Sequence, residues 1–180
     1  MEFYRDYFKL LADKIAAVDD TLLDEAVSLI KKTGSQGKKV IIAGNGGSAA
    51  IASHVAVDLT KNAGIRCVNF NEADLLTCLA NDYGYEAWLS KAIQFYGDQG
   101  DLIILISSSG SSKNILNGAA TAKELGINII TLSGFREGNP LSRMGDINFF
   151  ADSKGYNIVE MTHHIWLVAM VDRIIGKIEY

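Results

Sequence analysis

The sequence predicts an α/β fold in which helices cover both faces of a mainly parallel sheet. Short apolar runs of strand length alternate with segments of helical spacing along the 180 residues. Two of these runs, residues 40–43 and 102–106, lead directly into loops of glycine and serine that precede a helical pattern. Strands joined through helices form parallel sheets by right-handed crossovers, so these two observations decide the fold class.

The N-terminal part of the chain is predicted to form two helices. Apolar side chains recur at helical spacing through residues 2–17, with charges between them. Thr21 is predicted to cap the second helix, which ends near Gly34. The first helix carries more aromatic residues than a small sheet could cover, so we expect a helical interface with other subunits.

The rest of the chain alternates between strands and helices. The predicted strands are residues 39–43, 65–70, 102–106, 127–132 and 147–151. The predicted helices follow Ser48 to about residue 62, then cover residues 73–79, 86–96, 113–125 and 158–177. Asn157 and Glu160 have the spacing of a capping box that opens the last helix. The polar residues 81–84 are predicted to form a turn, and Pro140 to lie in a loop.

Composition and charge narrow the function classes. Apolar residues make up 48% and charged residues 21%, as in ordinary globular domains. The net charge of −4 gives no general attraction to nucleic acid or to anionic membranes, so we expect neither as a partner. Two cysteines, no visible signal peptide and no apolar run of membrane-spanning length favour a soluble cytoplasmic protein.

The two glycine- and serine-rich loops are the strongest functional signal. Residues 44–48 and 107–112 each stand between a predicted strand and a predicted helix, where backbone N–H groups and the helix N-terminus favour an anion. Neither loop has the glycine spacing of a dinucleotide site or the glycine–lysine–serine ending of a nucleotide-hydrolase phosphate loop. Either loop alone could be an ordinary turn, but the pair favours a pocket for a phosphorylated, hydroxyl-rich small molecule.

Four motifs resemble the sugar isomerase (SIS) domain family, most closely its phosphoheptose isomerase branch. They are residues 44–50 (GNGGSAA), His54, residues 81–85 (NDYGY) and residues 106–110 (ISSSG). The resemblance covers nearly the whole chain as one domain, residues 1–180, with a helical arm at 1–36 and an α/β core at 37–180. It implies a three-layer αβα sandwich with a five-stranded parallel sheet of the flavodoxin-like type, and a homotetramer with sites at subunit interfaces.

The resemblance also implies a reaction, the interconversion of sedoheptulose 7-phosphate with an aldoheptose 7-phosphate. Such an isomerisation moves a proton between C1 and C2 through an enediol and needs acid–base groups. His54 and Asp58 stand four residues apart on one predicted helix face, and Glu160 is the expected partner across the pocket. Family members usually carry Glu at the position of Asp58.

The resemblance further implies the residues that contact substrate. These are Asn45, Gly46, Gly47, Ser48, Asp82, Ser107, Ser108, Ser109 and Ser112. Asp82 could equally be a plain turn residue.

The last helix departs from the metal-binding members of the family. Val159 stands where they have Gln, and Leu167 stands where they have a distal His. We therefore expect no cofactor, and zinc remains only as a weak alternative. Its weak candidate ligands are His54, Asp58, His163 and His164, although at least one of the last two is expected to be a packed or interface residue.

Two functions from different classes remain at this point. One is a phosphosugar isomerase, with the acid–base groups named above. The other is a non-catalytic SIS module that binds a phosphosugar or a protein partner for regulation.

Overall fold

A computed structural model of the chain describes residues 2–179, and Met1 and Tyr180 of the predicted domain lie outside the described residues. The strands are β1 Val40–Gly44, β2 Cys67–Val68, β3 Leu102–Ser107, β4 Asn128–Gly134 and β5 Ile147–Ala151. The helices are α1 Phe3–Ala16, α2 Asp20–Ser35, α3 Gly47–Lys61, α4 Ala73–Tyr83, α5 Trp88–Tyr96, α6 Lys113–Glu124 and α7 Tyr156–Ile175. A 3-10 turn at Leu141–Arg143 precedes β5.

The five strands form one parallel sheet in the order β2-β1-β3-β4-β5, which confirms the predicted fold class. Alternate side chains of the central strand β3 enter two different cores, as the period of two in a strand requires. Ile104 lies in the core beneath α2, α3 and α7, whereas Ile103 lies in the core beneath α5 and α6. Burial on both faces explains why the strands are continuous apolar runs.

The residues that cap α2 and α7 differ from the prediction. The side chain of Asp19 caps α2 by accepting the Thr21 N–H at 2.8 Å, because Asp19 has the extended backbone that a cap needs and Thr21 is already helical. Gly155 takes the corresponding position before α7. Asn157 and Glu160 therefore lie inside α7 and form no capping box, and the Glu160 side chain is free to point elsewhere.

Two boundaries in the middle of the chain also differ. Strand β2, at one edge of the sheet, has two residues, because only Cys67 and Val68 pair with β1. The polar residues 81–83 form the last turn of α4 instead of a separate turn, and Gly84 ends that helix with φ of +84°. A positive φ is accessible to glycine without strain, so Tyr83 is the last residue of α4 and the chain leaves the helix at Gly84.

Helix α1 lies on the outside of the molecule. It packs against α7, where the Trp166 indole N–H donates to the Ile15 carbonyl at 2.9 Å, but none of its residues is buried. Phe3, Tyr4 and Phe8 keep about two thirds of their surface exposed. Within residues 2–179, no helix combines the length and the apolar character needed to span a bilayer.

Candidate functional site

A cavity of about 290 Å³ lies at the carboxyl ends of β1 and β3. The strand order reverses between these two strands, and ligands in open α/β sheets bind at such switch points. The lining residues are Asn45, Gly46, Gly47, Ser48, Ile106, Ser107, Ser108, Ser109, Ser112, Tyr156 and Glu160. Both predicted loops thus contribute to one cavity, and every predicted substrate-binding residue except Asp82 lines it.

The first loop brings the backbone of α3 close to the cavity. Gly46 has φ of +54° and ψ of −122°, a conformation that is open almost only to glycine. A Cβ on Gly44 would lie 2.6 Å from the Ser48 Cβ, so this position also excludes a side chain. The helix N-terminus that follows carries partial positive charge and faces the site.

The second loop presents hydroxyl groups in a tight turn. The Gly110 N–H donates to the Ser107 carbonyl at 2.9 Å, and the Ser107 and Ser112 hydroxyls lie 3.3 Å apart. Ser108 Oγ is buried and has no hydrogen-bond partner within residues 2–179. A buried hydroxyl without a partner is costly, and a ligand oxygen would remove that cost.

A pair of amides ties the two loops together. Asn45 Nδ2 donates to Asn114 Oδ1 at 3.0 Å, and Asn114 Nδ2 donates back to Asn45 Oδ1 at 2.9 Å. The Tyr85 hydroxyl also donates to Asn45 Oδ1, at 3.1 Å. Because Asn114 is buried in the first turn of α6, the pair fixes the spacing of the two helix N-termini across the cavity.

Glu160 is the only carboxylate among the lining residues. It reaches from α7 to the start of α3, where a Cβ on Gly47 would overlap its carboxyl group. Partial burial raises the pKa of Glu160 above its ordinary value of 4.5. A carboxylate with a raised pKa in a cavity of hydroxyl groups is suited to proton transfer.

A second acid–base cluster lies further along the same two helices. His54 Nε2 lies 3.1 Å from Asp58 Oδ2, and His54 Nδ1 lies 2.8 Å from Nε2 of His164 on α7. Burial lowers the pKa of His164, and the nearby His54 lowers it further, while Asp58 acts in the opposite direction. The other Asp58 oxygen accepts from the Asn62 amide at 3.1 Å. Asp58, His54 and His164 thus form a continuous hydrogen-bonded chain. None of the three is among the residues that line the cavity.

Two of the predicted site residues lie neither at the cavity nor in this acid–base cluster. His163 is fully buried, and its Nε2 bonds to the Ser133 carbonyl at 3.0 Å. Burial lowers the pKa of His163 to about 4, so the ring is neutral. Asp82 is exposed near the end of α4, where the Cys78 thiol lies 3.7 Å from it.

The comparisons with known proteins agree with this geometry. Residues 3–134 match the SIS domain. A phosphoheptose isomerase from Sulfurimonas denitrificans is 37% identical over 132 residues, which are 70% of this chain and 67% of that protein. One from Helicobacter pylori is 32% identical over 157 residues, 84% and 81% of the two chains. The chain belongs to the SIS domain family, in its phosphoheptose isomerase branch.

Solved structures extend the likeness of this SIS domain to the whole fold. The phosphoheptose isomerase from Neisseria gonorrhoeae superposes with a TM-score of 0.87 and 26% identity, over 96% of this chain and 95% of that one. The Vibrio vulnificus NanR protein, complexed with ManNAc-6P, shares the fold at a TM-score of 0.71 and 19% identity, over 95% of this chain and 60% of that one.

The residues of this SIS domain do not fit the zinc pattern that the resemblance implied. Val159 and Leu167 are both buried in the apolar core, so neither position offers a donor atom. Both ring nitrogens of His54 are already engaged, one by Asp58 and one by His164. Within residues 2–179, no cluster of three or more His, Cys, Asp and Glu side chains is arranged to hold a metal ion.

Sequence reasoning missed three residues of the site. Tyr156 lines the cavity as the first residue of α7, whereas the predicted helix begins only at residue 158. Asn114 and Tyr85 hold Asn45, and both contacts join segments far apart in sequence. The only local signal was the asparagine two residues after Ser112, in the first turn of a predicted helix.

Proposed function

We propose that the protein is an aldose–ketose isomerase of the phosphoheptose type, which interconverts sedoheptulose 7-phosphate and D-glycero-heptose 7-phosphate. The observation that carries this proposal is the position of Glu160. Its carboxyl group shares one cavity with both anion-binding loops, so a bound sugar phosphate would place its carbon chain beside an acid–base group.

Phosphate binding in this proposal depends on dipoles and hydroxyl groups. The lining residues include no Lys or Arg, whereas α3 and α6 both begin at the cavity and five serine side chains of the two loops line it. Helix N-termini and hydroxyl donors bind phosphate without a cation. The loop 107–112 holds the phosphate, and the sugar extends toward α7.

Proton transfer then follows the enediol route. From the ketose, the Glu160 carboxylate takes a proton from C1 while the C2 carbonyl oxygen gains one, which gives the enediol. Return of the proton to C2, with loss of the O1 proton, gives the aldose. Asp58, His54 and His164 are the second acid–base group, which exchanges protons with the substrate oxygens.

No step of this route uses a metal ion or another cofactor. The support is the lack of metal-binding side chains at two positions. Val159 and Leu167, which stand where the family has Gln and a distal His, are apolar and buried. Protein purified without a chelator should contain clearly less than one zinc per chain. Stoichiometric zinc would contradict this part of the proposal.

We further propose a cytoplasmic homotetramer with neither nucleic-acid nor membrane partners. Besides the exposed aromatics of α1, the exposed apolar residues Val57, Met161 and Ile165 lie on α3 and α7, the two helices that carry His54 and His164. An apolar surface of this kind is typical of subunit interfaces. The exposed His54 would then face a neighbouring subunit.

The alternative is a binding module without catalysis, and the buried Val159 and Leu167 are the observation that favours it.

An activity assay distinguishes the two functions. Purified protein is incubated with sedoheptulose 7-phosphate, and aldose formation is followed over time. Glu160→Gln is the matched control, since it keeps the size of the side chain. Turnover that the control lacks supports the isomerase. Tight binding with no turnover of any ketose or aldose phosphate would establish the binding module instead.

A further inference from the structure

An aromatic pair stands at the rim of the cavity. Tyr156, the first residue of α7, lines the cavity with 62% of its surface exposed. It precedes Glu160 by four residues, so the two side chains share one face of the helix. The ring therefore lies one helical turn from the carboxyl group that faces the loops.

Phe135 fixes the ring of Tyr156 from behind. The two rings meet edge to face, with centroids 4.7 Å apart and an interplanar angle of 82°. Phe135 itself is half-buried and packs against the apolar core beneath α7. The contact thus connects an exposed ring at the cavity to the interior of the protein.

The backbone at Phe135 is strained. Phe135 is the only non-glycine with positive φ within residues 2–179, at +62°. The Arg136 N–H donates to the Gly134 carbonyl at 2.8 Å across it, which makes a three-residue turn of the rare positive-φ type. A bulky side chain in this conformation is unfavourable and is found mostly where function requires it.

We propose that Tyr156 is a specificity residue for the carbon chain of the substrate, and that Phe135 is its positioning residue. The loops bind the phosphate, and the Tyr156 ring packs against the C–H groups of the attached polyhydroxylated chain. An aromatic face offers apolar contact without competing for the hydroxyl groups. Tyr156 therefore discriminates a sugar phosphate from inorganic phosphate, an inference that rests on the proposed function.

Calorimetric titration with sedoheptulose 7-phosphate and, separately, with inorganic phosphate tests this assignment. Tyr156→Ala should weaken sugar phosphate binding about tenfold and change inorganic phosphate binding less than about twofold. Tyr156→Phe keeps the ring and should retain most of the affinity. Asn157→Ala, in the same turn of α7 but outside the cavity lining, is the matched control and should bind both ligands like the wild type.

Phe135→Leu tests the positioning role. It keeps apolar bulk in the core and removes the ring, so sugar phosphate binding should fall while inorganic phosphate binding stays. Should this variant unfold, the Tyr156 series decides by itself.

Three results would overturn the inference. Tyr156→Ala could leave both affinities unchanged, or it could weaken both equally, which would make the residue structural. Tyr156→Phe could lose as much as Tyr156→Ala, which would assign the effect to the hydroxyl group. A wild-type protein that binds sugar phosphate no better than inorganic phosphate would instead contradict the proposed function itself.

Discussion

Nδ1 of His54 lies 2.8 Å from Nε2 of His164, although the two residues are 110 positions apart in the chain. Only one of these two nitrogens can carry the proton between them. A carboxylate oxygen accepts, so the Nε2–H of His54 donates to Asp58, and His54 Nδ1 accepts from His164 Nε2–H. The contact fixes the tautomers of both rings and leaves His164 Nδ1 as the unprotonated end of the chain.

The first prediction is that His54 and His164 act as one unit. His54→Ala should lower kcat by roughly 10²-fold or more, the usual loss for an acid–base group. His164→Ala should lower kcat less and leave KM almost unchanged. The double variant should be no slower than His54→Ala, because the second removal has nothing left to disturb. Steady-state kinetics of the four proteins measure this, and additive losses would show that the two rings act separately.

The second prediction concerns Glu160. Glu160→Gln should lower kcat by roughly two to four powers of ten with substrate binding kept. Burial raises the pKa of Glu160, so the acidic limb of the wild-type rate profile should lie above pH 4.5, and any residual activity of the variant should lack it. Gly47→Ala keeps the carboxyl group but displaces it, and should also slow the reaction. Unchanged kcat in both variants would remove Glu160 from the mechanism.

The third prediction separates phosphate binding from catalysis at Ser108. Its buried hydroxyl is without a partner within residues 2–179, so we expect it to donate to phosphate. Ser108→Ala should raise KM more than it lowers kcat, and should reduce the rise in Tm that inorganic phosphate gives the wild type. Ser111→Ala, on an exposed residue of the same loop outside the cavity lining, is the matched control. An equal rise in Tm for the Ser108 variant and the wild type would contradict the assignment.

The fourth prediction is a pH dependence of stability that arises from His163. The pKa of the buried ring falls from 6.5 to about 4, so the unfolded chain binds one more proton between these pH values. The free energy of unfolding should therefore be unaffected above pH 6.5 and decrease as pH falls toward 4, by up to about 3 kcal/mol. Denaturant titrations at several pH values give the free energy of unfolding of the wild type and of His163→Phe. The slope of this free energy against pH should differ between the two proteins below pH 6.5. Parallel slopes would show that His163 does not titrate in this way.

The fifth prediction is the assembly. Light scattering at micromolar concentration should give about four times 19.5 kDa for the wild type. Phe8→Glu places a charge within the exposed aromatic face of α1 and should yield smaller species. Lys32→Glu, on the exposed side of α2, should leave the mass unchanged. A wild-type mass of 19.5 kDa would rule out the tetramer and any site shared between subunits.

The fold class and most of the cavity could be predicted from the sequence. The apolar runs at β1 and β3 are buried on both faces, so their composition alone identifies them as central strands. Once two strands are parallel neighbours, the loops after them must meet at the same sheet edge. In the structure β1 pairs directly with β3, so the loops 44–48 and 107–112 share one cavity.

The sequence failed where a choice depended on neighbours in space. Asp19 and Thr21 are both good caps, and Asp19 caps α2 because its backbone is extended whereas Thr21 is already helical. The start of α7 after Gly155 is equally ambiguous in the sequence, so Tyr156 is not among the predicted site residues.

Tertiary structure alone decided which histidine meets His54. His163 and His164 are adjacent and chemically identical, but α7 packs against α3 and the sheet at one fixed rotation. Successive residues of a helix differ by about 100° in direction, so one ring enters the core and the other meets His54. Periodicity shows that one of the two must be buried, and only the packing of α7 decides which.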